Sequence, residues 1–259
     1  MSNTMKTISA ALFAATVLAP ALAHAAAPAG PAQAGGRNIV IVPGAFIDGS
    51  SWHVVHDILS HKGYKVTVVP AAHATLEDDI AATRRVMFDQ VGSVVLVGNG
   101  FGGTVISHAG DGAKVKALVY VAALVPQVGE NSGQLLAAAG PQAAPAKPDW
   151  AGYYWADRAS FHKDFAADLS TNRAAFLAAS QMPTTQAFIY TAAHAAAWHQ
   201  KPNYAVLATQ DHVLHPDTQR MMYRRAGAKV VEIASSHAVH VSHPEEVAAL
   251  IERAAIEQL

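Results

Sequence analysis

The chain has 259 residues, of which 51% are hydrophobic and 14% charged, enough material for one well-buried domain. A formal net charge of -1 gives no electrostatic case for nucleic acid or for an acidic membrane surface, and points instead to a small-molecule partner. There is no cysteine, so stability has to come from the core and not from disulfides.

Residues 1–25 read as a secretory signal. A short positive segment ending at Lys6 precedes an apolar run of Ala, Leu, Phe and Val, and Ala23 and Ala25 each close an A-x-A cleavage site. That run is shorter than the roughly 20 residues a spanning helix needs, so no membrane association is expected after cleavage. Residues 26–36, rich in Ala, Pro and Gly, follow as a flexible leader, and residues 37–259 form the folded domain. The mature protein is expected in the periplasm or outside the cell.

Residues 38–42 are an unbroken apolar run that stops at Pro43-Gly44, as expected of a strand buried on both faces of a parallel sheet. Helical spacing follows over 52–61, and 65–69 reads as a second strand. Thr75-Leu76-Glu77-Asp78 is a helix start. Further strands fall at 94–97, 117–121, 204–208 and 230–233, with helices at 216–226 and 244–258. This alternation predicts an α/β fold with a mostly parallel, doubly wound sheet. The stretch 126–202 interrupts the rhythm with Pro and Gly clusters, then Trp150, Tyr153, Tyr154 and Trp155, then phenylalanines at helical spacing, and predicts a helical cap over a pocket.

The segment Gly98-Asn99-Gly100-Phe101-Gly102-Gly103 joins an apolar strand to a helix start. With Pro43-Gly44-Ala45-Phe46, Ala208-Thr209-Gln210-Asp211 and Ser236-His237-Ala238-Val239, it resembles the α/β-hydrolase superfamily, and within it the small esterase and hydroxynitrile-lyase-like branch, from about residue 38 to the C-terminus. The order of elbow, acid and histidine is the superfamily's. The resemblance implies that Asp211 orients and charge-balances His237 as a general base, and that the backbone amides of Phe101 and Ala45 form an oxyanion hole. Asn99 and Phe46 are the neighbouring pocket candidates.

Two positions depart from the family pattern. Asn99-Gly100 stands where His-Ser is usual, and Pro43 stands where a histidine is usual. Gly100 has no hydroxyl, so no acyl-enzyme can form there. The tip of an elbow costs most residues about 1–3 kcal/mol of backbone strain, which glycine avoids, and loss of the serine leaves a small void beside His237. A substitute nucleophile would have to be Thr104 or Ser51, neither placed like an elbow serine.

The same glycines match G-x-G-x-x-G, but the following strand ends Ala122-Ala123-Leu124 without the acid a dinucleotide ribose requires. His212, His215, His240 and His243 crowd around His237 without metal-ligand spacing, so neither a metal nor another cofactor is expected. His162 and Asp164 read as a polar helix face. The function these features imply is action on a small carbonyl or ester-type molecule by a His-Asp dyad and an oxyanion hole without an elbow serine. The alternative is a catalytically inactive relative that binds a small ligand in the capped pocket.

Overall fold

A computed structural model describes residues 37–138, 140 and 146–258. The expected signal and leader lie outside the described residues. In chain order the elements are β1 (Asn38–Val42), α1 (His53–His61), β2 (Lys65–Val68), α2 (Leu76–Phe88), β3 (Val94–Gly100), α3 (Gly102–Ala109) and β4 (Val115–Ala123). They continue with α4 (Ser132–Ala137), β5 (Lys147–Pro148), β6 (Tyr153–Trp155), α5 (Phe161–Phe165), α6 (Thr171–Ala179), β7 (Thr184–Thr185) and α7 (Gln186–Tyr190). The last are β8 (Asn203–Ala208), α8 (Pro216–Arg225), β9 (Lys229–Ile233), α9 (Val239–Ser242) and α10 (Pro244–Gln258).

Six strands form one sheet in the order β2-β1-β3-β4-β8-β9, and every neighbouring pair is parallel. This is the α/β-hydrolase fold, with helices on both faces. Along β1, β3 and β4 alternate side chains enter two separate cores. Val40, Val42, Leu96 and Leu118 pack with α3 and the cap, whereas Ile39, Ile41, Val95 and Val97 pack with Trp52, Leu59 and α10. Burial on both faces explains why these strands read as continuous apolar runs rather than as alternating ones.

Local chemistry sets the helix starts. The Thr75 hydroxyl accepts from the Asp78 amide, and Glu77, Asp78 and Asp79 sit in the first turn of α2, where the helix dipole favours negative charge. Pro216 begins α8, where a missing N–H costs nothing. Strand order reverses between β1 and β3, since β2 lies to one side of β1 and the later strands to the other. The loops leaving β1 and β3 therefore diverge and open a crevice at their carboxyl ends.

The insertion carries helices α4 to α7 as expected, and also a three-stranded antiparallel sheet of β5, β6 and β7. These strands are two or three residues long, too short to show a period of two in the sequence. The Thr184 and Thr185 hydroxyls tie this sheet down by donating to the carbonyls of His73 and Ala74.

Candidate active site

β3 ends in a turn that only glycines can make. A methyl group on Gly98 would stand 2.6 Å from the carbonyl oxygen of Gly102, one on Gly102 would stand 2.2 Å from that of Val42, and one on Gly103 would stand 2.1 Å from that of Leu124. These contacts let α3 lie directly on β1 and β4. Gly100, at the tip, has φ +50, the left-handed region that suits glycine. The tip of the turn thus carries no side chain and no hydroxyl.

His237 lies opposite. A Cβ built on Gly100 would be 3.1 Å from its Nε2. That is tighter than an ordinary van der Waals contact, so the void expected beside His237 is narrower than the missing serine alone would leave. Nδ1 of His237 pairs with Asp211 Oδ2 at 2.7 Å. Asp211 follows β8 and accepts three further hydrogen bonds: its Oδ1 from the amides of Val213 and Leu214, both at 2.8 Å, and its Oδ2 from the Gln219 side-chain amide at 2.9 Å. A carboxylate held on both oxygens fixes the imidazole's orientation and puts the proton on Nδ1, leaving the Nε2 lone pair toward the elbow.

The cap holds the histidine loop from the other side. Asp168 accepts from both the amide and the hydroxyl of Ser236, and the Ala238 amide donates to the carbonyl of Phe165. The Phe165 ring meets the imidazole edge-on at 4.8 Å.

A cavity of about 310 Å³ lies under the cap, walled by Phe46, Phe101, Tyr154, Phe161, Phe165 and Val213 among others. His237 itself is 4% exposed and is not a wall residue; Phe165 belongs both to the wall and to the packing of the imidazole. Phe46 lines the cavity and takes φ +69, while its amide donates to the Met182 carbonyl at 2.7 Å. That commits Phe46 N–H to the cap.

Asn99 departs from the expectation that it borders the pocket. It is fully buried, its Nδ2 donates to the Val121 carbonyl at 2.9 Å, and it faces Gly44, where an added Cβ would be 3.3 Å from Oδ1. It joins β4 to the β1 loop and donates nothing toward Gly100. The substitute nucleophiles find other partners. Thr104 Oγ1 pairs with Ser132 Oγ at 3.0 Å, and Ser51 Oγ donates to the Asp48 carbonyl and pairs with His240 Nε2 at 3.1 Å.

Of the aromatic run in the cap, only Tyr154 reaches the cavity wall. Trp150 is 97% exposed, and Trp155 donates its ring N–H to Asp149. His162 bonds the Leu169 carbonyl, but Asp164 is no surface residue: it is 5% exposed and in the cavity wall. Phe161, Asp164 and Phe165 share one face of α5 at spacings of three and four, a pattern visible in the sequence but masked by the polar neighbours His162 and Lys163.

Sequence reasoning also passed over a second His-Asp pair. His73 Nδ1 bonds Asp79 Oδ2 at 2.8 Å with both residues buried, and Asp79 Oδ1 accepts from the amides of Ala72 and His73. It clamps the loop after β2 onto α2. Among the described residues no three His, Asp or Glu side chains converge as metal ligands.

No curated protein sequence is close enough to the chain to count as a match. In fold, the chain is similar to a pyrethroid hydrolase from Sphingobium faniae JZ-2, with a TM-score of 0.67 at 22% identity over 85% of this chain and 97% of that one. It is similar to polyneuridine aldehyde esterase, with a TM-score of 0.69 at 17% identity over 83% and 98%. It is also similar to tomato methylketone synthase I in complex with 2-tridecanone, with a TM-score of 0.70 at 16% identity over 86% and 98%. The model of the alpha/beta hydrolase family matches residues 39–250, most of the chain and all six strands of the parallel sheet but the first residue of β1: this chain belongs to the alpha/beta hydrolase family.

Proposed function

We propose that this protein acts on a small carbonyl or ester-type molecule by general-base chemistry at His237, without a covalent serine intermediate. The observation that carries this reading is the placement of His237 Nε2, 3.1 Å from where a side chain on Gly100 would begin, with Nδ1 held by Asp211 at 2.7 Å. A base kept in register with an elbow that has lost its nucleophile can serve only a proton transfer that needs no nucleophile there. For an ester, Nε2 takes a proton from a water whose oxygen bonds to the carbonyl carbon. The amides of Ala45 and Phe101 hold the resulting oxyanion, and the alkoxide leaves with the proton from the imidazolium. For a substrate with an acidic C–H beside a carbonyl, the same base takes that proton and the same amides hold the enolate oxygen. The neighbours' names, a hydrolase, an esterase and a synthase holding a ketone, suit a cavity built around a carbonyl group.

A second reading, a binding protein without turnover, draws on the 4% exposure of His237 and its narrow gap to Gly100. Turnover of short-chain activated esters by the protein beginning at Ala26, run beside His237→Ala and Gly100→Ser, separates the two. The base reading expects native turnover that falls about 10²–10⁴-fold in His237→Ala. An inert native protein with activity appearing only in Gly100→Ser would overturn it in favour of binding. We also propose that residues 1–25 are removed on export, on the strength of the charged start, the apolar run and the A-x-A sites.

A further inference from the structure

The cavity under the cap has a buried inner end and an open outer one. Phe101 follows Gly100 in the turn and Phe165 packs edge-on against the His237 imidazole; both are buried wall residues, as are Phe46 and Phe161. Of the described wall residues, only Ala137 on α4 and Tyr190 at the end of α7 are exposed, Tyr190 at 54%. Tyr190 thus borders both the cavity and solvent. Its ring rests on α4. A Cβ on Gly133 would stand 2.5 Å from Tyr190 Cε1 and 2.9 Å from Cδ1, so ring and helix backbone meet there only because residue 133 has no side chain. Gly133 lies inside α4 without a positive φ, and glycine weakens a helix relative to alanine, so its own conformation does not account for its presence. The Gly129 amide donates to the Ala193 carbonyl and the Ala193 amide to the Glu130 carbonyl, both at 2.7 Å, which ties the chain before α4 to the chain after α7.

A carbonyl held at His237 leaves the remainder of its molecule to run along the cavity, and a remainder long enough to reach the outer end meets the Tyr190 ring. Leu136, Ala137 and Ile189, from the same two helices, are apolar wall residues, so a tail there is selected by shape and not by hydrogen bonds. With the two helices tied together, the width open to that tail is set by the side chain at 190 and not by their separation. We infer that Tyr190 is the specificity-determining residue at the mouth of the cavity: seated on Gly133, it admits compounds whose far end is a slender apolar chain and excludes those whose far end is branched. This rests on the cavity being the substrate site proposed above. It narrows the substrate class to carbonyl or ester compounds with an unbranched apolar tail.

The test is equilibrium binding, by titration calorimetry with the full chain, of methyl ketones of increasing tail length, each as a straight-chain form and as an isomer ending in tert-butyl. Isomers share a carbon number, so the comparison separates shape from the amount of apolar surface. Short pairs are expected to bind alike. Pairs long enough to reach the mouth are expected to differ by about 10-fold or more in favour of the straight form, the scale of one ill-fitting methylene in an apolar pocket. Tyr190→Ala is expected to bring that ratio below about threefold, and Tyr190→Phe, which keeps the ring, to preserve it. Gly133→Ala, which displaces the ring without altering residue 190, is expected to change the ratio by about threefold or more, and carries the test if Tyr190→Ala does not fold. Equal binding of the isomers at every length, preference for the branched form, no binding of any ketone, an unchanged ratio in folded Tyr190→Ala or Gly133→Ala, or loss of the ratio in Tyr190→Phe would each overturn the inference. Because the ketones carry no bond to hydrolyse, catalytic inactivity of the protein leaves this result untouched, and a failure of tail selectivity leaves the general-base reading standing.

Discussion

His240 shows how much a residue's surroundings decide its chemistry. Three positions after His237, it is fully buried, stacked on Trp52 with ring centroids 4.5 Å apart, and paired through Nε2 with Ser51. Burial pushes its imidazole down to about 3, helped by the nearby charges of His237 and Arg173. The unfolded chain, with an ordinary histidine near 6.5, takes up its proton first as pH falls, so this residue costs stability between about pH 6.5 and 3, at about 1.4 kcal/mol per unit. Urea unfolding at pH 7 and pH 5 is expected to show a smaller drop in His240→Phe than in the native chain, by about 2 kcal/mol. The variant keeps the aromatic stack, and Ser51 still has the Asp48 carbonyl. At Asp211, replacement by Asn removes the acceptor that holds the His237 tautomer. Any ester turnover is then expected to fall by about 10²-fold or more, and by no more than in His237→Ala, read as kcat with little change in KM.

At the scale of elements, the turn into α3 and the cap's hold on the histidine loop matter most. A methyl group at Gly102 would be driven into the β1 carbonyls, so Gly102→Ala is expected to cost about 3 kcal/mol or more through displacement of α3, visible as a lower midpoint in chemical unfolding. Asp168 reaches from the cap to Ser236, the residue before His237. Asp168→Ala releases two hydrogen bonds and is expected to speed amide exchange over residues 236–238 by about 10-fold or more, with the exchange of β3 unchanged. Both contacts join segments far apart in the chain, which is why no local pattern announces them. The inner strands β1, β3, β4 and β8 were legible because they are buried along all or nearly all of their length and so are mostly apolar, while the partly exposed edge strands β2 and β9 carry lysine and glutamate among their valines. The two- and three-residue strands of the cap were not, because their pairing, rather than their composition, makes them strands.

For the whole molecule, two cores on either side of one parallel sheet leave the site at the point where strand order reverses, and the cap closes over it. Intact-mass measurement of the exported protein is expected to find an N-terminus immediately after Ala23 or Ala25; retention of residues 1–25 would remove the export proposal. The sequence by itself determined the sheet, the order of elbow, acid and histidine, and the absence of a hydroxyl at Gly100, because periodicity, motif order and residue identity are local properties of a chain. Only the tertiary structure decided that Asn99 serves the β1–β4 junction and not the pocket, that Trp150 faces solvent, and that Asp164 enters the cavity wall. Those outcomes depend on which face of each element is covered by segments tens of residues away, and burial of that kind is settled by packing, not by neighbours in the chain.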